Sequence, residues 1–358
     1  MVFLNDEQRH VFEQNMPREL QHADIWMISG CQDSQTSADI SNVGSFQLPD
    51  VPNGQASGAC TAALLKVLYD DVEQHPDQTY TFLQVLDKMR AILKQKGFQQ
   101  IPQLSSTKPI DMSHAKFELV PEHLQEGGGG TTKRAVLIGI NYKGHKHGQL
   151  SGCHNDVFNM YNYIQEYYGF QDDDIVVLVD DEDGDHTPPT KANILNAYKH
   201  IVSVSQPGDS IFLHYSGHGT KVKDINGDEE DGYDEALCPL DFQTSGLILD
   251  DELNDIIVKK LPVGVHVVAL YDCCHSGTVL DLPYEYKANG QYSRMEISSN
   301  KFNFNKLFGI GGGTGGVNNI NLQQAMKLGK MVMGKKNQVF QMANNAKKVN
   351  NMMKQFMK

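Results

Sequence analysis

Two short stretches carry groups that could do covalent chemistry. His214–Gly219 reads HYSGHG and Tyr271–Gly277 reads YDCCHSG. Each follows an apolar, β-branched run, so each reads as the tip of a buried strand. A cysteine nucleophile needs an imidazole to take its proton and later to protonate the leaving amine, and His218 and Cys274 supply that pair. Glycine beside each lets the backbone approach a substrate and offer N–H groups to an oxyanion, with Gly219 and Cys274 as the candidate donors. The same residues leave a second reading open. His214, His218, Cys273, Cys274 and His275 could ligate zinc, although adjacent cysteines and irregular spacing suit tetrahedral ligation poorly.

The elements that must hold these tips alternate strand and helix. RAVLIGINY, DIVVLVD, DSIFLHYSGHG and VHVVALYDCCHSG are predicted strands. NDVFNMYNYIQEYYG, TKANILNAYKHIVSV (entered through Thr190) and DELNDIIVKKL are predicted helices. This alternation predicts an α/β fold, a mostly parallel sheet with helices on both faces, whose chemistry gathers at the carboxyl ends of the strands. Parallel neighbours would bring the two tips side by side.

Two glycine-rich breaks divide the 358 residues: EGGGGTTK and GIGGGTGG. Neither carries the GKS or GKT of a phosphate loop, and both read as linkers. The expected parts are residues 1–123, a linker at 124–133, a catalytic part at 134–286 and an extension at 287–358. Within the first part, ADIWMISGCQDSQTSAD (Ala23–Asp39) is an apolar strand breaking into a polar loop, the edge of a cleft that has no catalyst of its own. Cys31 there reads as buried structure, while Asp33, Ser34, Gln35 and Ser37 could touch a substrate. Two helical patterns follow, ACTAALLKVLYDDVEQ and YTFLQVLDKMRAILKQKG.

A net charge of −13 argues against nucleic-acid binding. No apolar run approaches the roughly 20 residues that span a bilayer, and the opening lacks a secretory signal. The six cysteines are spread thinly, which fits a reducing compartment, and the expectation is a cytoplasmic monomer. The tail is rich in Lys and Met, with Val339, Met342, Ala346, Val349, Met353 and Phe356 at helical spacing. It reads as a helix docked on the body, or on an acidic partner. The acidic loop KDINGDEEDGYDE half-matches an EF-hand, but Glu229 stands where a glycine is required. Carboxylates gathered from several loops remain candidates for a hard cation, and the run Asp228–Asp231 reads as solvated.

HYSGHG followed by DCCHSG, with GINY on the first catalytic strand and GCHND opening its helix, resembles the metacaspases, caspase-like cysteine proteases. The resemblance runs from about Arg134 to Tyr286 and implies a three-layer caspase-like sandwich. It implies His218 as base, Cys274 as nucleophile, and cleavage after Arg or Lys in a pocket formed by Asp156, Ser216 and Asp272. A cationic side chain leaving water needs such carboxylates, and Asp272 lies two residues before Cys274 on an extended strand. Asp156 alone could equally cap its own helix. The resemblance further implies activation by calcium at Asp234, Asp250, Asp251 and Asp281. The small-subunit-like part resembles residues 1–123 and precedes the catalytic part, the swapped order of the type III class; an engineered permutation would read the same. The connection that relatives cleave would then be open, so the intact chain is expected to act without a cut. Lys287, Arg294 and Lys301 are candidate self-cleavage positions. The rival expectation is an idle, calcium-responsive scaffold or aggregate-handling protein.

Overall fold

Strands buried on both faces need unbroken apolar sequence, and SIFLHYS and HVVALYD are buried at every position. In the computed structural model the described residues are 23–30, 39–40, 43–49, 51, 55–74, 79–108, 110–122, 131–145, 148–181, 184–223, 233–274, 276–286 and 296–297. All belong to one unit, Met1–Lys301; a second unit, Phe302–Lys358, lies outside them. So do Cys31, Asp33, Ser34, Gln35, Ser37, His275, Asp228–Asp231, Lys287, Arg294, Lys301 and the basic tail.

The strands are β1 (Asp24–Ser29), β2 (Asp39–Ile40), β3 (Ser57–Gly58), β4 (Gln103–Ser106), β5 (Lys133–Gly139), β6 (Ile175–Val179), β7 (Ser210–Ser216), β8 (Gly219–Lys223), β9 (Tyr233–Leu237), β10 (Ile248–Leu249), β11 (His266–Asp272), β12 (Tyr284–Tyr286) and β13 (Glu296–Ile297). The helices are α1 (Ala59–Gln74), α2 (Phe82–Gln95), α3 (Cys153–Tyr168), α4 (Lys191–Val204), α5 (Phe242–Ser245) and α6 (Asp250–Leu253). Eight strands form one sheet in the order β13-β12-β4-β1-β11-β7-β5-β6. From β1 through β11, β7 and β5 to β6 every pairing is parallel. The flank of β4, β12 and β13 is antiparallel. The sheet is thus mixed, with the parallel strands where the reactive tips lie. β8, β9 and β10 make a smaller antiparallel sheet that leaves the end of β7.

Alternation along each strand sends side chains to two cores. Phe212 and Leu270 pack with Leu64, Val85, Met89 and Met160 on the face covered by α1, α2 and α3. Tyr215 and Tyr271 pack with Ile194, Tyr198 and Ile257 on the face of α4 and the turn after α6. That gives the three layers of a caspase-like α/β sandwich. Truncating a fully buried side chain such as Leu270 to Ala would cost about 2–5 kcal/mol.

Local signals explain where the helices start and stop. Thr81 and Gln84 form a reciprocal capping box at α2, and Thr190 caps α4. α3 ends on Gly169 in the left-handed conformation. The helix expected over DELNDIIVKKL is instead one α turn followed by a π turn, Asn254–Val258. The Asn254 side chain donates to the Leu280 carbonyl at 2.9 Å, tying this irregular turn to the loop after β11. Residues 24–122 and 131–286 share the one sheet, because β1 hydrogen-bonds directly to β11.

Candidate active site

β7 and β11 are parallel neighbours with Ser216 opposite Asp272, so His218 and Cys274 both lie two residues past the last paired position. The two tips are pressed together. A Cβ added to Gly219 would lie 2.1 Å from the Cys274 carbonyl oxygen, so only glycine allows that approach. Of the adjacent cysteines, Cys273 is buried and Cys274 is only partly covered. All five described cysteines are free thiols.

The imidazole of His218 is held from one side. Its Nε2 hydrogen-bonds the Gly148 carbonyl, which can only accept, so the proton belongs on Nε2 and the Nδ1 lone pair is left for a thiol proton. The backbone N–H of His218 donates to the Tyr142 hydroxyl at 2.9 Å. Tyr215 donates to the His218 carbonyl, also at 2.9 Å. His214, proposed above as a zinc ligand, is buried on β7 with Nε2 3.4 Å from the Thr61 hydroxyl. Burial pushes its pKa down to about 3, so it stays neutral.

Beside the tips lies a buried acidic pair. Asp156 accepts from the Ser57 hydroxyl, from the Gly58 N–H at 2.8 Å and from the Ser216 hydroxyl at 2.6 Å. It does not cap α3, whose first N–H, that of Cys153, donates instead to the Asn141 side chain at 3.0 Å. Asp272 accepts from the Thr61 N–H at 2.8 Å and from the Thr61 hydroxyl at 2.9 Å. Thr61 is in the first turn of α1, so the carboxylate takes up one of the orphan N–H groups of that helix. Gly58 is wedged between the acids; a Cβ there would come within 2.3 Å of Asp272 and 2.8 Å of Asp156. Burial first, and the charge of Asp272 second, push the Asp156 carboxyl up to about 7 against the hydrogen bonds that favour its charged form. The structure therefore brings Asp156, Ser216 and Asp272 together. Ser57, Gly58 and Thr61 join them, three residues that sequence reasoning missed because SGACT reads as an ordinary helix start.

The four loop acids differ in burial, with Asp234 and Asp250 buried and Asp251 and Asp281 partly exposed. Asp250 is buried and accepts the Glu235 N–H at 2.8 Å and the Asp251 N–H at 2.7 Å. Burial, and then the neighbouring Asp281, push its carboxyl up to about 9. Asp281 has a left-handed backbone, φ 51°, unusual for a residue with a Cβ. Asp234 is buried on β9, next to Glu235, whose side chain accepts from Thr278 in the loop after Cys274. Among the described residues no three His, Cys, Asp or Glu side chains converge as a formed metal cage. The donor chemistry nevertheless fits a hard divalent cation, since Asp250 and Asp281 are carboxylates whose mutual repulsion such an ion would relieve.

No helix among the described residues is long and apolar enough to cross a membrane. A groove of about 510 Å³ along edge strand β6, lined by Phe158, Tyr161 and Val177, contains none of the groups above.

Residues 133–283 match the metacaspase peptidase C14 domain, and residues 5–112 match the caspase domain. The chain is 55% identical over 310 residues to "Metacaspase III c" of Phaeodactylum tricornutum, covering 86% of this chain and 88% of that one. It is 52% identical over 158 residues to Metacaspase-1 of Saccharomyces cerevisiae, covering 44% of this chain and 36% of that one. A Metacaspase-1 of Sclerotinia sclerotiorum is 53% identical over 158 residues, with the same coverage. Likeness to that metacaspase across most of both chains, on a caspase-like sheet, makes this chain a member of the metacaspases, a family of cysteine endopeptidases, with the type III order of its parts.

Proposed function

We propose that this endopeptidase cleaves after Arg or Lys, uses Cys274 and His218 as its catalytic dyad, and is switched on by calcium. The observation that carries the reading is the pair of buried carboxylates, Asp156 and Asp272, beside the two tips. Two acids forced together in a buried site favour a cation, and a guanidinium or ammonium supplies one while keeping their hydrogen bonds.

In the proposed reaction the Cys274 thiol gives its proton to Nδ1 of His218, and the sulfur attacks the substrate carbonyl carbon. Backbone N–H groups of Gly219 and Cys274 hold the oxyanion. The C–N bond breaks as His218 returns the proton to the leaving amine, which leaves a thioester on Cys274. A water, giving a proton to His218, then hydrolyses that thioester and frees the thiol. The half-exposed position of Cys274 and the Nε2 hydrogen bond of His218 both support these roles.

Asp234, Asp250, Asp251 and Asp281 would hold the calcium, which would neutralise their charge and order the loops they belong to. The raised pKa of Asp250 beside Asp281 supports this. Activity of the uncut chain is supported by the pocket, whose walls come from 57–61 and from 156, 216 and 272 in one continuous polypeptide. The expected setting is cytoplasmic, with protein or peptide substrates.

The test is hydrolysis of short fluorogenic peptides ending in Arg, Lys or Asp, with calcium or with chelator, by the wild type and by Cys274→Ala. Calcium-dependent cleavage of the Arg and Lys peptides, absent in the variant, is expected. Cleavage of the Asp peptide would overturn the pocket assignment. No cleavage by either protein would favour the scaffold reading.

A further inference from the structure

Tyr142 follows β5 in the GINY stretch, and its backbone has φ 53°, the left-handed region that a residue with a Cβ seldom enters. Such a conformation persists only where its surroundings fix it, and here they do. Asp180, just past β6, accepts the N–H of Asn141 at 2.7 Å and the N–H of Lys143 at 3.2 Å, gripping the chain on both sides of Tyr142. His154 adds a contact to the same carboxylate at 2.6 Å. The loop is closed by the His145 N–H on the Tyr142 carbonyl at 3.1 Å and the Leu150 N–H on the Asn141 carbonyl at 2.8 Å.

This backbone puts the phenol against His218. The two ring centroids are 4.6 Å apart with the planes 34° from parallel. The Tyr142 hydroxyl accepts the His218 N–H and donates to the Cys238 carbonyl at 2.6 Å, so it ties the start of the β7–β8 turn to the strand beyond it. The ring is buried, and a residue needed only to fill space there would not require the hydroxyl. Gly148, whose carbonyl holds Nε2 of His218, belongs to the same loop. Through one loop, therefore, the imidazole is fixed by its face, by its backbone and by its remote nitrogen.

We infer that Tyr142 is a positioning residue for the imidazole of His218, and that Asp180 acts through it by holding its backbone. The inference rests on the reading of His218 as the general base. Tyr142 touches no reacting atom; its work is to keep Nδ1 aimed at Cys274.

The test uses the full chain with Tyr142→Phe, Asp180→Asn and His218→Ala. Each is compared with the wild type in kcat and KM on an Arg peptide, in the pH dependence of Cys274 alkylation by iodoacetamide, and in thermal midpoint. Tyr142→Phe keeps the ring and loses the hydroxyl. It should lower kcat roughly 10- to 100-fold with KM unchanged, and move the alkylation profile toward higher pH, since thiolate formation depends on an aligned imidazole. A residue that merely stabilised the fold would move the thermal midpoint and leave that profile where it was. Asp180→Asn should shift the profile in the same direction by less, without altering the phenol, and it decides the matter if Tyr142→Phe fails to fold. Profiles like the wild type in both variants would overturn the inference; a shift in Tyr142→Phe alone would remove Asp180 from it. If His218→Ala alkylates with the wild-type profile, the assignment of His218 as base fails instead, separately from the role of Tyr142.

Discussion

Two groups of carboxylates flank the reactive tips, and the protein treats them differently. Asp156 and Asp272 are met by hydroxyl and amide donors from β3 and β7 and from the first turn of α1. Asp250 is met by two backbone N–H groups, and its neighbour Asp281 sits on a left-handed turn. Asp156, Asp272 and Asp250 are buried whereas Asp281 is partly exposed, and the hydroxyl donors that meet the first pair give way at Asp250 to backbone N–H groups. Braced carboxylates present a fixed geometry, which suits a planar, directional cation such as a guanidinium. Partly exposed ones on loops, such as Asp251 and Asp281, suit a spherical ion that imposes its own coordination. On the proposed reading, receptor and switch are built from one residue type by varying the donors around it.

The largest effect that would break this comparison is expected from Asp272→Asn. Losing one partner of a buried charge pair costs about 2–5 kcal/mol, so kcat/KM on Arg peptides should fall roughly 100-fold or more. An equal fall on a peptide with an uncharged residue at the cleaved bond would show that the acid does not serve a cation.

The counterpart in the other group is Asp250→Asn. Calcium should no longer raise the thermal midpoint or the rate. In chelator the variant should be the more stable protein near neutral pH. The sign follows from linkage: a carboxyl raised to about 9 in the folded chain, against roughly 4 unfolded, loses stability steadily as pH rises between those values. Removing its charge removes that loss. A lower midpoint in chelator would mean that the Asp250 charge is structural.

The subtlest difference is in titration. Asp156, raised to about 7, should lose its proton when a cation enters, so benzamidine binding measured by calorimetry should strengthen as pH rises through about 7 and release a proton. In Asp272→Asn that midpoint should move to lower pH, because one of the two causes of the shift is gone. An unmoved midpoint would leave burial as the whole cause.

The parallel strands, the helices α3 and α4 and the meeting of the two tips were legible because unbroken apolar runs and helical spacing are local signals. β4 was not, since QLSS is polar in composition although buried throughout. The small sheet β8-β9-β10 and the π turn after Asp250 were equally hidden, being set by tertiary contacts. In the site, the motifs pointed to Asp156 and Asp272, which the fold brings together, but their donors Ser57, Gly58 and Thr61 lie roughly a hundred or more residues away in sequence, and nothing local marks them. Whether Asp156 caps its own helix is a question of side-chain direction, which spacing does not answer.

The pairing of β1 with β11 has a consequence for how the protein is made. Asp24 aligns with His266 and Ser29 with Tyr271, contacts that span roughly 240 residues. Closing so large a loop is slow and must follow most of the other pairings. During synthesis β1 emerges before β11 and waits, with that hydrogen-bonding edge unmet, until β11 has left the ribosome. The Asp156–Asp272 pair and Cys274 come together with Thr61 only when nearly the whole sheet exists. A nascent fragment that ends before β11 lacks this pairing, so topology delays assembly of the site.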